Sequence, residues 1–381
     1  MASFEYTVPC LFGLEAILKR EITDLGYEIS SVDDGRVSFY GDECAIARAN
    51  LLLRTGERVL LNIRKFEATS FEELFEETKT IPWEYYIPKD GKFWVTKASS
   101  IKSVLFSPSD IQSIVKKAIV ERLKEVHKIT WFEENGESYP IRVFLKKDQV
   151  EITLDTSGEG LHKRGYRANA SKAPIRETLA AGIVQLSVWN KNRILVDPFC
   201  GSGTILIEAA MIGANIAPGR NRQFVSQQWD NLISENIWKD AFREATDVET
   251  KPELRIQGYD KDYHVLRIAR ENAEIAGVDG YIHFQDRDVA DFSNPKQYGV
   301  IIANPPYGER LEELDDVIEL YKLMGKTFEP YGSWSKYIIT SYEEFENAYG
   351  KNATKKRKLY SGMLKTNLYQ YVGPRPPRLN G

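Results

Sequence analysis

The chain has 381 residues, too many for one ordinary domain, and length alone predicts two or three. It is 42% hydrophobic and 28% charged, a globular composition, and no apolar run approaches the roughly 18 residues of a membrane span. The net charge of −4 gives no general attraction to phosphates, and three cysteines and four histidines lack the spacing of a metal site or a disulfide framework. The start, MASFEYTVPC, has neither the basic opening nor the apolar stretch of a signal peptide. We therefore expect a cytoplasmic protein with reduced thiols, no metal and no membrane segment.

In chain order, Phe4–Val8 reads as a strand. Gly13–Leu25 follows as a helix, with Leu14, Ile17, Leu18, Ile22 and Leu25 on one stripe and Gly26 closing it. Strands at Val37–Tyr40 and Val59–Ile63 flank a helix at Glu43–Leu53, so residues 1–65 are expected to form a small α+β domain. A second α+β block occupies residues 66–160. Its helices are Phe71–Thr80 and Asp110–Lys124, the latter with Ile111, Val115, Ile119 and Leu123 on one face. Its strands are Phe93–Ala98, then Tyr139–Leu145 and Gln149–Asp155 around a hairpin turn at Lys146–Asp148.

After Gly158 the pattern changes. A basic, Gly-containing linker, His162-Lys163-Arg164-Gly165-Tyr166-Arg167, leads to Ser171-Lys172-Ala173-Pro174, where Pro174 is expected to open a helix. From Ile194 onward apolar strands alternate with helices: Ile194–Val196, Ile256–Tyr259, Tyr281–Gln285 and Val300–Ala303. That order predicts a doubly wound, mostly parallel sheet across 161–381, with Ser335–Thr340 and Leu368–Val372 as closing strands.

Asp197-Pro198-Phe199-Cys200-Gly201-Ser202-Gly203-Thr204 lies between the first of these strands and a helix, the setting of a nucleotide-type site. Gly201 and Gly203 allow close backbone approach, and Asp197 is suited to the ammonium of a bound amino-acid moiety. The third glycine of a dinucleotide fingerprint and the Gly-Lys-Ser/Thr of a P-loop are both missing. Asp260, at the tip of the second strand, is suited to two ribose hydroxyls, or to capping the helix that begins near Tyr263. It lies 63 positions after Asp197 instead of about 20, so residues 214–253 read as an insertion. After the third strand, Asp288 is expected to accept from an adenine amine with Val289 beside the ring. Asp286 competes for that role, and either could be a turn residue.

Val300–Ala303 delivers Asn304-Pro305-Pro306-Tyr307 to a strand tip. The prolines fix φ and remove two donors, which makes the turn rigid. The Asn304 side-chain oxygen and the Pro305 carbonyl are both acceptors. Together they suit the two hydrogens of an aromatic –NH2, turning its lone pair toward a methyl donor without a strong general base. Tyr307 is expected to stack on the target base. Glu309 and Arg310 either contact base or phosphate or pair with each other.

Asp197 to Thr204, Asp260 and the 304–307 tetrad together resemble the class I amino-methyltransferases, which implies S-adenosyl-L-methionine as cofactor. Phe199 and Thr204 join the cofactor set on the same grounds. Leu161–Arg167, Lys172–Ala180 and Leu359–Leu364 further resemble the THUMP-containing RNA methyltransferases. The match is nearest to the RlmL-like family, which makes N2-methylguanosine in 23S rRNA. The resemblance implies a ferredoxin-like domain over 1–65, a THUMP RNA-binding domain over 66–160 and a Rossmann-like methyltransferase domain over 161–381. It implies RNA as partner, 23S rRNA before tRNA, with the basic helix face at Lys116 and Lys117 as one candidate contact. The chain is expected to end without the second methyltransferase domain some members carry. Alternatives are a tRNA guanosine N2-methyltransferase, a DNA adenine-N6 methyltransferase, and a non-catalytic RNA-binding ribosome assembly factor.

Overall fold

A computed structural model describes residues 3–167, 174–307, 314–362 and 364–377. The chain divides into two compact units. The first comprises Met1–Pro9, Glu21–Leu161 and Gln223–Glu244; the second comprises Cys10–Arg20, His162–Arg222 and Ala245–Gly381.

The elements of the N-terminal part are β1 (Phe4–Pro9), α1 (Glu15–Asp24), β2 (Glu28–Asp33), β3 (Arg36–Gly41), α2 (Cys44–Leu52), β4 (Leu60–Glu67), α3 (Phe71–Thr80), α4 (Trp83–Tyr86), β5 (Lys92–Ile101), α5 (Pro108–His127), β6 (Ser138–Lys146) and β7 (Gln149–Asp155). The seven strands form one sheet of the first unit, in the order β2-β3-β1-β4-β7-β6-β5. The expected domain limit at 65/66 therefore falls inside β4, which pairs with β1 on one side and β7 on the other. Local chemistry explains the sharpest features. Ser70 and Glu73 cap α3 reciprocally. Lys147 and Asp148 take φ of 52° and 65°, the left-handed pair that a tight hairpin turn needs. Ile111, Val115, Ile119 and Leu123 form the buried stripe of α5.

The remaining elements are α6 (Glu177–Leu186), β8 (Leu195–Asp197), α7 (Thr204–Gly213), α8 (Glu235–Asp247), β9 (Ile256–Asp260), α9 (Tyr263–Ile275), β10 (Ile282–Asp286), β11 (Val300–Ala303), α10 (Leu314–Phe328), β12 (Ser335–Thr340), α11 (Phe345–Tyr349), β13 (Lys355–Ser361) and β14 (Leu364–Tyr371). The sheet of the second unit runs β10-β9-β8-β11-β12-β14-β13. The first five strands are parallel, and β14 runs antiparallel to both β12 and β13. Two apolar layers cover its faces, one containing Leu206, Ile256 and Phe284, the other Val196, Tyr321 and Phe328. Strand order reverses between β8 and β11, the switch point at which such sheets bind ligands.

Several expectations shift. The strand expected at Val59–Ile63 is β4, Leu60–Glu67. The helix expected to open at Pro174 begins at Glu177, because Arg167 donates to the Ile175 carbonyl at 2.9 Å and leaves Arg176 extended (ψ 142°). Strands β2 and β13 were not anticipated. Both are sheet edges, and β13 carries the basic run Lys355–Lys358, as exposed edges commonly do. The insertion at 214–253 is not a single appendage. Trp229 stacks on Tyr139 with ring centroids 5.1 Å apart and donates to the Ser138 carbonyl, which makes Gln223–Glu244 part of the first unit.

Residues Cys10–Arg20 show the reverse. Leu14 is fully buried in the second unit's core beside α6, and a Cβ on Gly182 would lie 2.7 Å from its methyl groups. Gly13, at φ +93°, backs onto the Lys358 carbonyl, and Arg357 donates to the Gly13 carbonyl at 3.0 Å.

Candidate active site

Strand β8 ends on Asp197, which is buried with only 1% of its surface exposed. Its Oδ1 accepts from the Phe199 N–H at 2.9 Å. Burial pushes its carboxyl up to about 8, the nearby Asp260 charge adding to the effect and the Phe199 hydrogen bond opposing it. A carboxylate held this far from water is stabilised by an arriving cation.

The two glycines that follow do different work. Gly201 (φ +51°) has open space where a Cβ would stand, and it lines a cavity of about 400 Å3. Gly203 (φ +85°) faces the core, where a Cβ would meet Phe284 at 3.2 Å and Ala269 at 3.3 Å; it caps α7. Asp260, at the end of β9, accepts from the Gly201 N–H at 3.0 Å and the Asp262 N–H at 3.0 Å. The helix cap weighed as its other role belongs to Asp262, whose side chain accepts from the His264 N–H.

The cavity brings together Asp197, Phe199, Gly201, Thr204 and Asn304 of the expected set. Its wall also includes Pro174, Ile175, Asp262, His264, Val265 and Ile268, which sequence reasoning had not assigned. Ile175 could have been found from its place beside the entry helix; the α9 residues carried no such signal. Gly203, Asp260, Asp288 and Val289 are absent from that wall, Asp260 reaching it only through its bond to the Gly201 N–H. Asp288 caps a short 3-10 turn by accepting from the Ala290 N–H, and Val289 is buried in the layer with Tyr259 and Phe292.

Strand β11 pairs directly with β8, Val300 opposite Leu195 and Ile301 opposite Val196, which sets Asn304 beside the Asp197 turn. Pro305 is buried and Pro306 exposed. Tyr321 of α10, fully buried, donates to the Pro306 carbonyl and accepts from Thr340 Oγ1, each at 2.8 Å. A tyrosine distant in sequence thus clamps the turn, and burial pushes its hydroxyl up to about 12. Tyr307 was expected to stack on a base. Its hydroxyl instead donates to Asn304 Oδ1, the acceptor expected to receive an amine hydrogen. No described residue donates to the Pro305 carbonyl. Gly308, Glu309 and Arg310 lie outside the described residues, as do Ser171, Lys172, Ala173 and Met363.

The two arginines of the basic linker turn inward, while Lys163 stays exposed. Arg164 is 2% exposed and pairs with buried Glu208 of α7 at 3.4 Å; the Tyr166 hydroxyl donates to the same carboxylate at 3.1 Å. Arg167 pairs with Glu177 and reaches Thr204 Oγ1 at 3.3 Å. Arg167 thus braces the cavity wall at Ile175 and Thr204, and Arg164 is neutralised inside the fold. Lys117 lies over the Phe75 ring, and Lys356 pairs with Glu346. Among the described residues no group of His, Cys, Asp or Glu could hold a metal, and no helix is long and apolar enough to cross a membrane.

Asp197, the open face of Gly201 and the carboxylate tip of β9 fit a ligand with a cationic amino-acid end, as the donor set of S-adenosylmethionine requires. Comparison with known proteins agrees. The profile of the RMKL-like methyltransferase domain matches residues 164–370, that of the RlmL ferredoxin-like domain residues 5–60, and that of the THUMP domain residues 68–155. The chain is 52% identical over 362 residues to YpsC of Bacillus subtilis (strain 168), provisionally named an RNA methyltransferase, covering 94% of this chain and 93% of that one. It is 32% identical to ribosomal RNA large subunit methyltransferase K/L of Cellvibrio japonicus (strain Ueda107), covering 96% of this chain but only 51% of that protein, so it spans about half that relative's length. Among solved structures, SMU.472 complexed with SAH superposes with a TM-score of 0.93 at 41% identity, covering 99% of this chain and 100% of that one.

Proposed function

The chain belongs to the RMKL-like methyltransferase family, whose methyl donor is S-adenosylmethionine, and from that membership we propose that it methylates the exocyclic N2 amine of a guanosine in 23S rRNA. The observation that carries this reading is Asn304, set by β11 at the switch point and opening into the same cavity as Asp197 and Gly201. The THUMP match and the Cellvibrio relative's name support RNA, and that name supports the large ribosomal subunit.

The bound donor supplies an electrophilic methyl on a sulfonium. Asp197 would hold its ammonium end, and Asp260, by accepting from the Gly201 N–H, fixes the glycine turn beside which the ribose would lie. Asn304 Oδ1 and the Pro305 carbonyl accept the two amine hydrogens, which turns the nitrogen lone pair out of conjugation and toward the methyl. The methyl would pass to the amine nitrogen with the C–S electron pair left on sulfur. The cationic amine then releases a proton to water. No strong base is required of the chain, so alignment carries most of the rate.

Nucleoside mass spectrometry of 23S rRNA, tRNA and DNA from a strain lacking the gene tests the reading. Loss of N2-methylguanosine from 23S rRNA is expected. Its loss from tRNA alone would reassign the substrate, and loss of N6-methyladenine from DNA would overturn the RNA reading.

A further inference from the structure

We propose that a groove along the part of β9 and β10 that carries Gln257, His283 and Gln285 binds the phosphate backbone of the RNA substrate, beyond the nucleotide being methylated; this rests on the reading of the chain as an RNA methyltransferase. In the register of these parallel strands His283 lies opposite Gln257 and Gln285 opposite Tyr259, so alternate residues of both strands share one face. Their other face, with Ile256, Ile282 and Phe284, is packed into the core. Parallel strands are normally apolar on both faces because both are covered. Here Tyr259 packs into an apolar layer, but Gln257, His283 and Gln285 make the rest of that face polar, and it opens on a groove of about 670 Å3.

Four cationic or titratable basic side chains line it: Arg255, His283, Arg287 and Lys296. No aspartate or glutamate does, in a chain with more acidic than basic residues. Among the described residues none of the four makes an ion pair. Arg287 is held over the Tyr259 ring, 4.8 Å from its centroid, a support that leaves its charge unneutralised. Gln257 Oε1 accepts from both Tyr259 (2.7 Å) and Asn294 (3.2 Å), which turns its amide donors outward. Donors and uncompensated cations with no acid among them are the complement of a polyanion.

The groove also points the right way. It begins at Arg255, before β9, and reaches Arg287, whose N–H donates to the Asp260 carbonyl at 3.1 Å. Asp260 is the strand tip of the cofactor site. Along β9 that is about 16 Å at roughly 3.3 Å per residue, a few nucleotides of backbone.

The test reverses charge at two exposed positions remote from the chemistry, Arg255→Glu and Lys296→Glu, singly and together, with Arg255→Gln and Lys296→Gln as milder versions. Binding to total rRNA and total tRNA from a strain lacking the gene is measured against KCl concentration. Methyl transfer and S-adenosylhomocysteine affinity are measured in parallel. The double reversal should weaken RNA binding at least about tenfold and lower the slope of log K against log salt by about 1.4 to 1.8, two phosphate contacts. KM for RNA should rise, with kcat at saturating RNA and S-adenosylhomocysteine affinity unchanged. If the wild type binds RNA and every variant matches it in affinity and salt slope, the groove does not carry RNA and is left to an acidic protein surface. If the wild type neither binds nor methylates either RNA, the RNA reading itself fails.

Discussion

The Tyr307 hydroxyl donates to Oδ1 of Asn304 at 2.5 Å, so one residue of the 304–307 turn occupies the acceptor of another. A base entering the site has to displace that hydroxyl before its amine can reach Asn304. Tyr307 is therefore both the expected stacking platform and a plug. Tyr307→Phe keeps the ring and removes the competing donor, so kcat should stay within about threefold of wild type and KM for RNA should not rise. Tyr307→Ala removes both and should cost about tenfold or more in kcat/KM, since stacking contributes roughly 1–3 kcal/mol per base. A Phe variant as impaired as the Ala variant would show that the hydroxyl is needed in the reaction.

Asn304→Ala removes one of the two amine acceptors and leaves Asp197 and the glycine turn intact. S-adenosylhomocysteine affinity by calorimetry should stay within a few-fold of wild type, while methyl transfer falls by about 100-fold or more, the usual cost of losing one aligned polar group. Near-wild-type turnover would refute the role.

Tyr321→Phe deletes the hydrogen bonds to the Pro306 carbonyl and Thr340 without changing the ring. About 1 kcal/mol of stability should be lost. If the clamp positions the turn, kcat falls while KM and donor affinity hold. A lower melting temperature with unchanged kcat would make Tyr321 purely structural.

Asp197 gives a pH dependence of defined sign. Its folded carboxyl is at about 8, above the ordinary value near 3.9, so the folded chain without donor holds a proton that the unfolded chain has lost. The stability this contributes is fully present below about 3.9 and is lost as pH rises to 8. Donor binding runs the other way, because the ammonium requires the ionised carboxylate. S-adenosylhomocysteine affinity should rise steeply, up to tenfold per unit, between pH 6 and 7.5. Asp197→Asn should bind weakly with a flat profile over that range; a sloping one would assign the titration to another group.

Leu14 and Gly182 are a matched pair across the second unit's core. Leu14→Ala should cost about 2–5 kcal/mol. Gly182→Ala, which pushes into the Leu14 methyls, should also destabilise, and the two changes together should cost less than their sum. Strict additivity by chemical denaturation would show that the contact is not felt. A fragment covering 161–381 lacks Leu14 and should be less stable than the full chain, so its loss of activity would say nothing about RNA.

The sequence by itself determined the strand-and-turn frame of the proposed reaction centre, because its signals are local. A strand, two prolines and an asparagine occupy consecutive positions, and Asp197 to Thr204 carry their own strand–turn–helix context. The periodic stripes of α5 and the apolar run of β11 were legible for the same reason: burial on one face repeats within a few residues. Only tertiary structure decided which polar groups meet. Asp260 and Asp262 are two residues apart, yet one ties down the Gly201 N–H and the other caps a helix. Asp288 caps a short turn, and the arginines of the linker, surface-like in sequence, pair with Glu208 and Glu177, Arg164 buried and Arg167 half-buried. The sheet edges β2 and β13, the excursion of residues 10–20 into the second unit and the return of 223–244 to the first left no local trace. Each depends on partners tens to hundreds of positions away. A periodic pattern records that a side chain is buried, and only the fold fixes what it is buried against.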